Sequence, residues 1–150
     1  MPLIEQKLLY AGTQEEKITL LCIGDHRDEL GSLRAIFAHP RWVIQRARTA
    51  AEAVQLMKYC SPAVVLCDEE LADGNWQTVL SMLQSSETAP PLVVLSQRAD
   101  QELWAEVLNL GGYDLLLKPF ERAEVHRVVS MAWRQHKSNS ARLSRAALVH

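Results

Sequence analysis

The chain has no apolar run approaching the ~18 residues that a spanning helix needs, so a membrane-embedded protein is not expected. Its N-terminus, MPLIEQKLLYAGTQEEK, has no basic stretch leading into an apolar core, so no secretory signal is expected either. Cysteine is scarce. Cys22, Cys60 and Cys67 are odd in number and show no Cys-x-x-Cys spacing. Two of them lie within apolar runs, where a free thiol behaves as a small hydrophobe, so reduced cysteines in a cytoplasmic protein are expected. Catalytic signatures are missing too: there is no Gly-x-Ser-x-Gly elbow, no Walker loop and no dinucleotide fingerprint. The five histidines, His26, His39, His126, His136 and His150, show no metal-ligand spacing. An independent enzyme is therefore not expected. Acids are absent from Trp133 onward, where Arg134, Lys137, Arg142 and Arg145 give +4. The net charge of −2 thus hides −6 on the first 132 residues, with 12 bases against 18 acids. That acidic portion is a poor candidate for nucleic-acid binding. Four spaced bases without a reading motif suit a solvated helix end or linker better than a nucleic-acid contact.

What the chain does have is one regular alternation. Its 150 residues, 48% hydrophobic and 23% charged, suit a single globular domain with a real core. Continuous β-rich runs at ITLLCI (18–23), AVVLC (63–67), LVVLS (92–96) and LLLK (115–118) read as strands covered on both faces. A more polar run from Trp42 to Arg48 reads as a strand near an edge. Between them the spacing predicts helices over Asp28–Phe37, from Thr49 through Tyr59, from Gly74 to about Ser85, over Asp100–Leu110, and after Pro119. Thr49-Ala50-Ala51-Glu52 is a capping box, and Gly111-Gly112 breaks the fourth helix. Residues 1–16 read as an N-terminal arm, possible helix included, and 137–150 as a basic tail or linker. Five strands each followed by a helix imply an α/β fold with a parallel sheet covered on both faces.

In such a sheet, ligands bind outside the carboxyl ends of the strands. Four of these ends carry Gly24-Asp25, Asp68, Ser96 and Lys118. If the strands are neighbours, two carboxylates, a hydroxyl and an ammonium meet in one small patch. The stretch LCDEELADG (66–74) runs an apolar strand directly into three acids and a turn, which suits such an edge. Alone, Asp68 would read as a loop acid and Ser96 as a strand-end hydroxyl. Their register with Lys118 favours a site.

With CIGDHRDEL, VLCDEELADGN, VVLS and GGYDLLLKPF in this order, residues 17–136 resemble the receiver domains of bacterial two-component response regulators, a CheY-like family. The resemblance implies a flavodoxin-like, doubly wound five-stranded parallel sheet of order 2-1-3-4-5. It implies that Asp68 accepts a phosphoryl group from a sensor histidine kinase or phosphotransfer protein. Mg²⁺ would be held by Asp25, Asp68 and the backbone carbonyl of Glu70, a hard-cation site of oxygen ligands. Lys118 would pair with Asp68 or the phosphoryl oxygens, Ser96 would hydrogen-bond one of them, and the Lys118–Pro119 bond would be cis. Homodimerisation through helix four, strand five and helix five is a further expectation.

Several residues depart from the family pattern. Gly24 replaces the first of two adjacent acids, which predicts weaker Mg²⁺ binding. Ala72 and Trp76 replace the usual Pro and Gly. Gln97 stands where a small residue usually leaves room for the donor, and Arg98 is expected to pair with Glu70. The side chains of Glu69 and Glu70 are otherwise expected to be solvated. Leu115 replaces the aromatic switch. Trp104 is expected in the core beside Leu103, Val107 and Leu110, with a partner surface as the alternative. A phosphoswitch is thus the expected function. The alternative, a receiver-like interaction module with little or no phosphorylation, draws on Gly24, Gln97 and Leu115.

Overall fold

The computed structural model describes residues 17–25, 29–98 and 100–149. The expected arm over residues 1–16 lies outside them, as does the start of the first helix at Asp28. Five parallel strands, β1 (Ile18–Ile23), β2 (Trp42–Ala47), β3 (Val64–Asp68), β4 (Leu92–Ser96) and β5 (Asp114–Leu117), form one sheet in the order β2-β1-β3-β4-β5. This is the doubly wound, flavodoxin-like arrangement. The polar second strand does lie at an edge.

Alternation along each strand divides the core into two layers, because successive side chains leave a strand on opposite faces. Leu20 and Cys22, Val64 and Leu66, and Val93 and Leu95 pack with α1 (Glu29–Ile36) and α5 (Arg122–Val149), through Leu33, Val125, Val128, Val129 and Ala132. The intervening Leu21 and Ile23, Val65 and Cys67, and Leu92 and Val94 face α2 (Ala50–Met57), α3 (Trp76–Leu83) and α4 (Gln101–Leu110). Leu66 at the sheet centre is fully buried, so truncating it to Ala is expected to cost about 2–5 kcal/mol.

Helix starts show where local chemistry differs from the expected boundaries. Thr49 caps α2 by accepting from the Glu52 N–H. The Glu52 carboxylate reaches one residue further back than a capping box requires, to the Arg48 N–H at 2.7 Å. Asp73 lies far along the chain yet accepts from the N–H groups of Ala50 and Ala51 at 2.9 and 3.1 Å. These two bonds hold its carboxyl below the usual carboxylate range. The third helix does not begin at Gly74. Glu70–Leu71 and Gly74–Asn75 form a short antiparallel ladder, Gly74 has φ 155°, and Asn75 caps α3 by accepting from Gln77 and Thr78. Asp100 caps α4, and Gly111 ends it in the left-handed conformation.

The final helix runs to Val149 and includes the basic stretch. Its first half is seated on β2 by a ring cluster. Phe37 lies 4.9 Å from Trp42 and 5.5 Å from His126, and Trp133 lies 6.3 Å from Trp42, centroid to centroid. Arg41 and Lys137 flank the Trp133 ring at 4.9 and 5.3 Å. Among the described residues no helix is long and apolar enough to cross a membrane.

Candidate functional site

Strand register builds the site. Ile23 pairs with Cys67, Asp68 with Leu95, and Ser96 with Leu117, so the ends of β1, β3, β4 and β5 lie side by side. The Lys118 N–H donates to the Ser96 carbonyl at 2.8 Å, extending the ladder one step. The Lys118–Pro119 bond is cis. From this end the Lys118 Nζ donates to Asp68 Oδ1 at 2.8 Å, and the two side chains are only 13% and 14% exposed. A second carboxylate, Glu29 Oε1 at the start of α1, lies 3.3 Å from the same ammonium. Nothing in the helical periodicity marks Glu29 for this contact; its place in the first turn of the helix after β1 is the only signal.

Asp68 also acts on the sulfur atoms beneath it. The Cys22 thiol is pushed up to about 12, by burial first and then by the charge of Asp68. The same two causes, in the same order, push the Cys67 thiol up. Both cysteines are free and buried, and Cys60 is free and half-buried.

Ser96 is only 3% exposed, and its side-chain partners are Glu69 and Arg98. Its hydroxyl donates to Glu69 Oε1 at 2.8 Å and accepts from the Arg98 N–H at 3.0 Å. Glu69 is held in turn by Arg98, whose Nε donates to Oε1 at 3.2 Å and whose Nη2 pairs with Oε2. Arg98 also reaches Asp100 at 3.4 Å. The bonds and charge of Glu69 push the guanidinium above its ordinary value. Two expectations are corrected here. Glu69 is not solvated, its side chain being 17% exposed, and Arg98 pairs with Glu69 rather than Glu70. The reason is register. The Glu69 N–H donates to the Leu95 carbonyl at 3.0 Å, so the β3–β4 ladder continues one step past Asp68 and sets Glu69 beside Ser96. Glu70 is exposed. Extending the strand pairing by one residue would have found this contact from the sequence.

Asp25, two residues past the end of β1, has a side chain 76% exposed, and Arg46 Nη2 of β2 lies 3.5 Å from its Oδ1. Among the described residues no three His, Cys, Asp or Glu side chains gather as a metal cage. Gly24, at the position of the missing acid, is buried and has φ 138°, a backbone that side chains rarely adopt. Trp76 is buried at the start of α3. Gln97 is exposed beside Ser96, and Leu115 packs partly buried under α4. Trp104 is not a core residue. It is 48% exposed, with its indole N–H on Asp114 at 3.2 Å, and Leu110 is 47% exposed; only Leu103 and Val107 of that stripe are buried.

A family model described as the response regulator receiver domain matches residues 20–130. The regulatory protein AtoC of Escherichia coli (strain K12) is 26% identical over 113 residues, 75% of this chain. The chain spans about a quarter of that relative's length, 24%. The signal receiver domain of an HD domain-containing protein from Pseudomonas fluorescens Pf-5 matches with a TM-score of 0.76 and 21% identity, over 85% of this chain and 95% of that one. A two-component response regulator from Clostridium difficile matches with a TM-score of 0.70 and 21% identity, over 79% and 97%. The family match covers most of the chain, and the chain belongs to the response regulator receiver domain family of two-component signalling.

Proposed function

We propose that Asp68 accepts a phosphoryl group from the phosphohistidine of a sensor kinase or phosphotransfer protein, and that the domain then presents an altered partner surface. The observation that best supports this is the Lys118 ammonium 2.8 Å from Asp68 Oδ1, between strand ends 50 residues apart in the chain. In the transfer, a carboxylate oxygen of Asp68 forms the new O–P bond as the P–N bond breaks, and the bonding pair leaves on the imidazole nitrogen. Lys118 offsets the repulsion between the carboxylate and the anionic donor, then pairs with a phosphoryl oxygen. Ser96 donates to another. This transfer and the later hydrolysis at Asp68 are the only chemistry proposed for the chain.

The residues present fit Mg²⁺ in kind. The Asp25 and Asp68 carboxylates are hard oxygen donors at adjoining strand ends, and magnesium keeps several waters, so it needs few protein ligands. The Glu70 carbonyl suits the third place. Trp76 N–H bonds to the Glu69 carbonyl, which makes Glu70–Asn75 a non-hydrogen-bonded pair and keeps the Glu70 carbonyl out of the short ladder. When bound, Mg²⁺ supplies neutralising charge beside the transferring group. Gly24 and the Arg46 contact weaken the site relative to one with two acids.

In this reading residues 17–136 form the receiver unit, with 1–16 an arm and 137–150 a basic tail, and the protein works in the cytoplasm. The partner surface, and a homodimer contact, lie on α4, β5 and α5, where Trp104, Leu108 and Leu117 are 48%, 37% and 42% exposed. Direct nucleic-acid binding by the receiver unit is not part of the proposal. A second reading, an interaction module that works with little phosphorylation, draws on Gly24 and on the prior use of the Ser96 proton by Glu69. Acetyl phosphate with Mg²⁺ separates the two. An acyl phosphate found by intact mass on wild type and absent from Asp68→Asn supports the first. Equal behaviour of the two proteins overturns it in favour of the second.

A further inference from the structure

A hydroxyl has one proton to donate, and that of Ser96 is given to Glu69 Oε1 at 2.8 Å. Its oxygen already accepts from the Arg98 N–H at 3.0 Å. Arg98 turns its Nε and Nη2 onto the same carboxylate, as a guanidinium does with any two-oxygen anion, carboxylate or phosphate alike. The donors on this side of the Asp68 pocket are therefore occupied by an anion of the chain itself. Glu69 immediately follows Asp68, so that anion is tethered one residue from the phosphoacceptor. Ser96 is 3% exposed, which leaves little room for a second acceptor beside Glu69.

We propose that the Glu69 carboxylate is a built-in competitor of the phosphoryl group, holding the Ser96 hydroxyl and the Arg98 guanidinium until a phosphoryl oxygen displaces it. This rests on the reading of Asp68 as the phosphoacceptor. Activation is then an exchange of anions. The phosphoryl group takes the Ser96 proton, and Glu69 leaves with or without Arg98. Displacing Glu69 frees the loop after β3, and with it the Glu69 carbonyl that receives the first N–H of α3, Trp76 N–H, at 3.1 Å. Asp68 phosphorylation would thus be transmitted to α3 through Glu69. Glu69 acts here as a positioning and gating residue rather than a catalytic one.

Two measurements test the proposal. In the first, inorganic phosphate is titrated into the folded protein and followed by the amide NMR shifts of Ser96 and Arg98. Glu69→Ala is expected to bind phosphate about tenfold more tightly than wild type, a change of about one decade in Kd. Adding Ser96→Ala or Arg98→Ala should remove most of the gain. Glu102→Ala takes an equal charge from the exposed face of α4 and should stay within about twofold, because exposed charges are screened. An unchanged Kd in Glu69→Ala, or an equal gain in Glu102→Ala, overturns the proposal. Glu69→Gln, which keeps an acceptor for Ser96 but gives up the charge, should fall between wild type and Glu69→Ala, and it serves if the alanine variant does not fold. In the second measurement, acetyl phosphate labels Glu69→Ala about tenfold faster than wild type, a change of one decade in rate, and Asp68→Asn removes the label from both. A rate that is unchanged or slower in Glu69→Ala counts against the competitor. Failure of every variant to take up label overturns the phosphoacceptor reading instead, and the phosphate titration then decides the role of Glu69 by itself.

Discussion

Two ion pairs sit next to each other at one edge of the sheet and differ in almost every physical respect. Asp68 and Lys118 come from two strand ends, and their side chains are 14% and 13% exposed. Glu69 and Arg98 come from the loops just beyond, and Arg98 is 56% exposed. The inner pair is largely shielded from water, so its members interact strongly and either one is costly to leave alone. The outer pair is partly solvated and gains less from its charges. An inner pair of this kind suits chemistry that needs a fixed charge beside a nucleophile. An outer pair suits a contact that must open. The contrast explains how two neighbouring acids on one chain can serve different purposes.

The largest expected break in that contrast is Asp68→Asn, which should reduce acetyl-phosphate labelling below detection in intact mass spectra while leaving the fold in place. Next is Lys118→Ala. It leaves Asp68 and Glu29 facing each other without their shared cation, and it is expected to cost about 2–3 kcal/mol in urea melts. That is less than a fully buried pair would cost, because both partners keep some access to water. A loss under about 0.5 kcal/mol would place the inner pair in the same class as the outer one. Gly24→Asp supplies the missing acid, but at a backbone with φ 138°. It should therefore destabilise by about 1–3 kcal/mol even if Mg²⁺ binding improves, and melts with and without Mg²⁺ separate the two effects.

Asp73 sharpens the comparison as a carboxylate used for capping. Its pKa in the folded chain lies below the ordinary 3.8, so its contribution to stability is present above that value and is lost as pH falls through the lowered one. Asp73→Asn should lower the melting midpoint at neutral pH and flatten the acid limb of the stability curve. The smallest effect concerns the thiols. With Cys22 and Cys67 buried and their thiols pushed up, iodoacetamide at neutral pH should modify Cys60 alone until the protein unfolds.

The inner pair was legible in the sequence because it depends on strand ends, and continuous apolar runs mark strand ends well. Val64–Leu66 and Leu92–Leu95 are buried for the same reason that they could be recognised. The 2-1-3-4-5 order came with the family resemblance rather than from periodicity. The sequence does not single out the outer pair, because three acids in a row offer the same charge at each position. Which one reaches Arg98 depends on how far the ladder runs past Asp68, and composition does not carry that. The Asp-Gly pair predicts a helix start at Gly74, but Asn75 has the better capping side chain, and the short ladder claims Gly74. A true core stripe adjoins Trp104 and predicts burial for it that the structure does not show. One residue from Leu103, it is rotated by about 100° to where its indole N–H reaches Asp114 and about half of the residue stays exposed.

The last helix carries one mechanical implication. Its 28 residues rise about 42 Å, and the aromatic collar of Phe37, Trp42 and His126 grips only the near half. Packing continues past the collar through Trp133 and the half-buried His136, which bonds to the Ala89 backbone. The exposed shaft past Ser140 therefore extends for about 13 Å, and a tilt of ~5° there swings its far tip by about 1 Å. Adjustments around Ser140 too slight to disturb the sheet are thus enlarged with distance along the rod, as at the end of a lever.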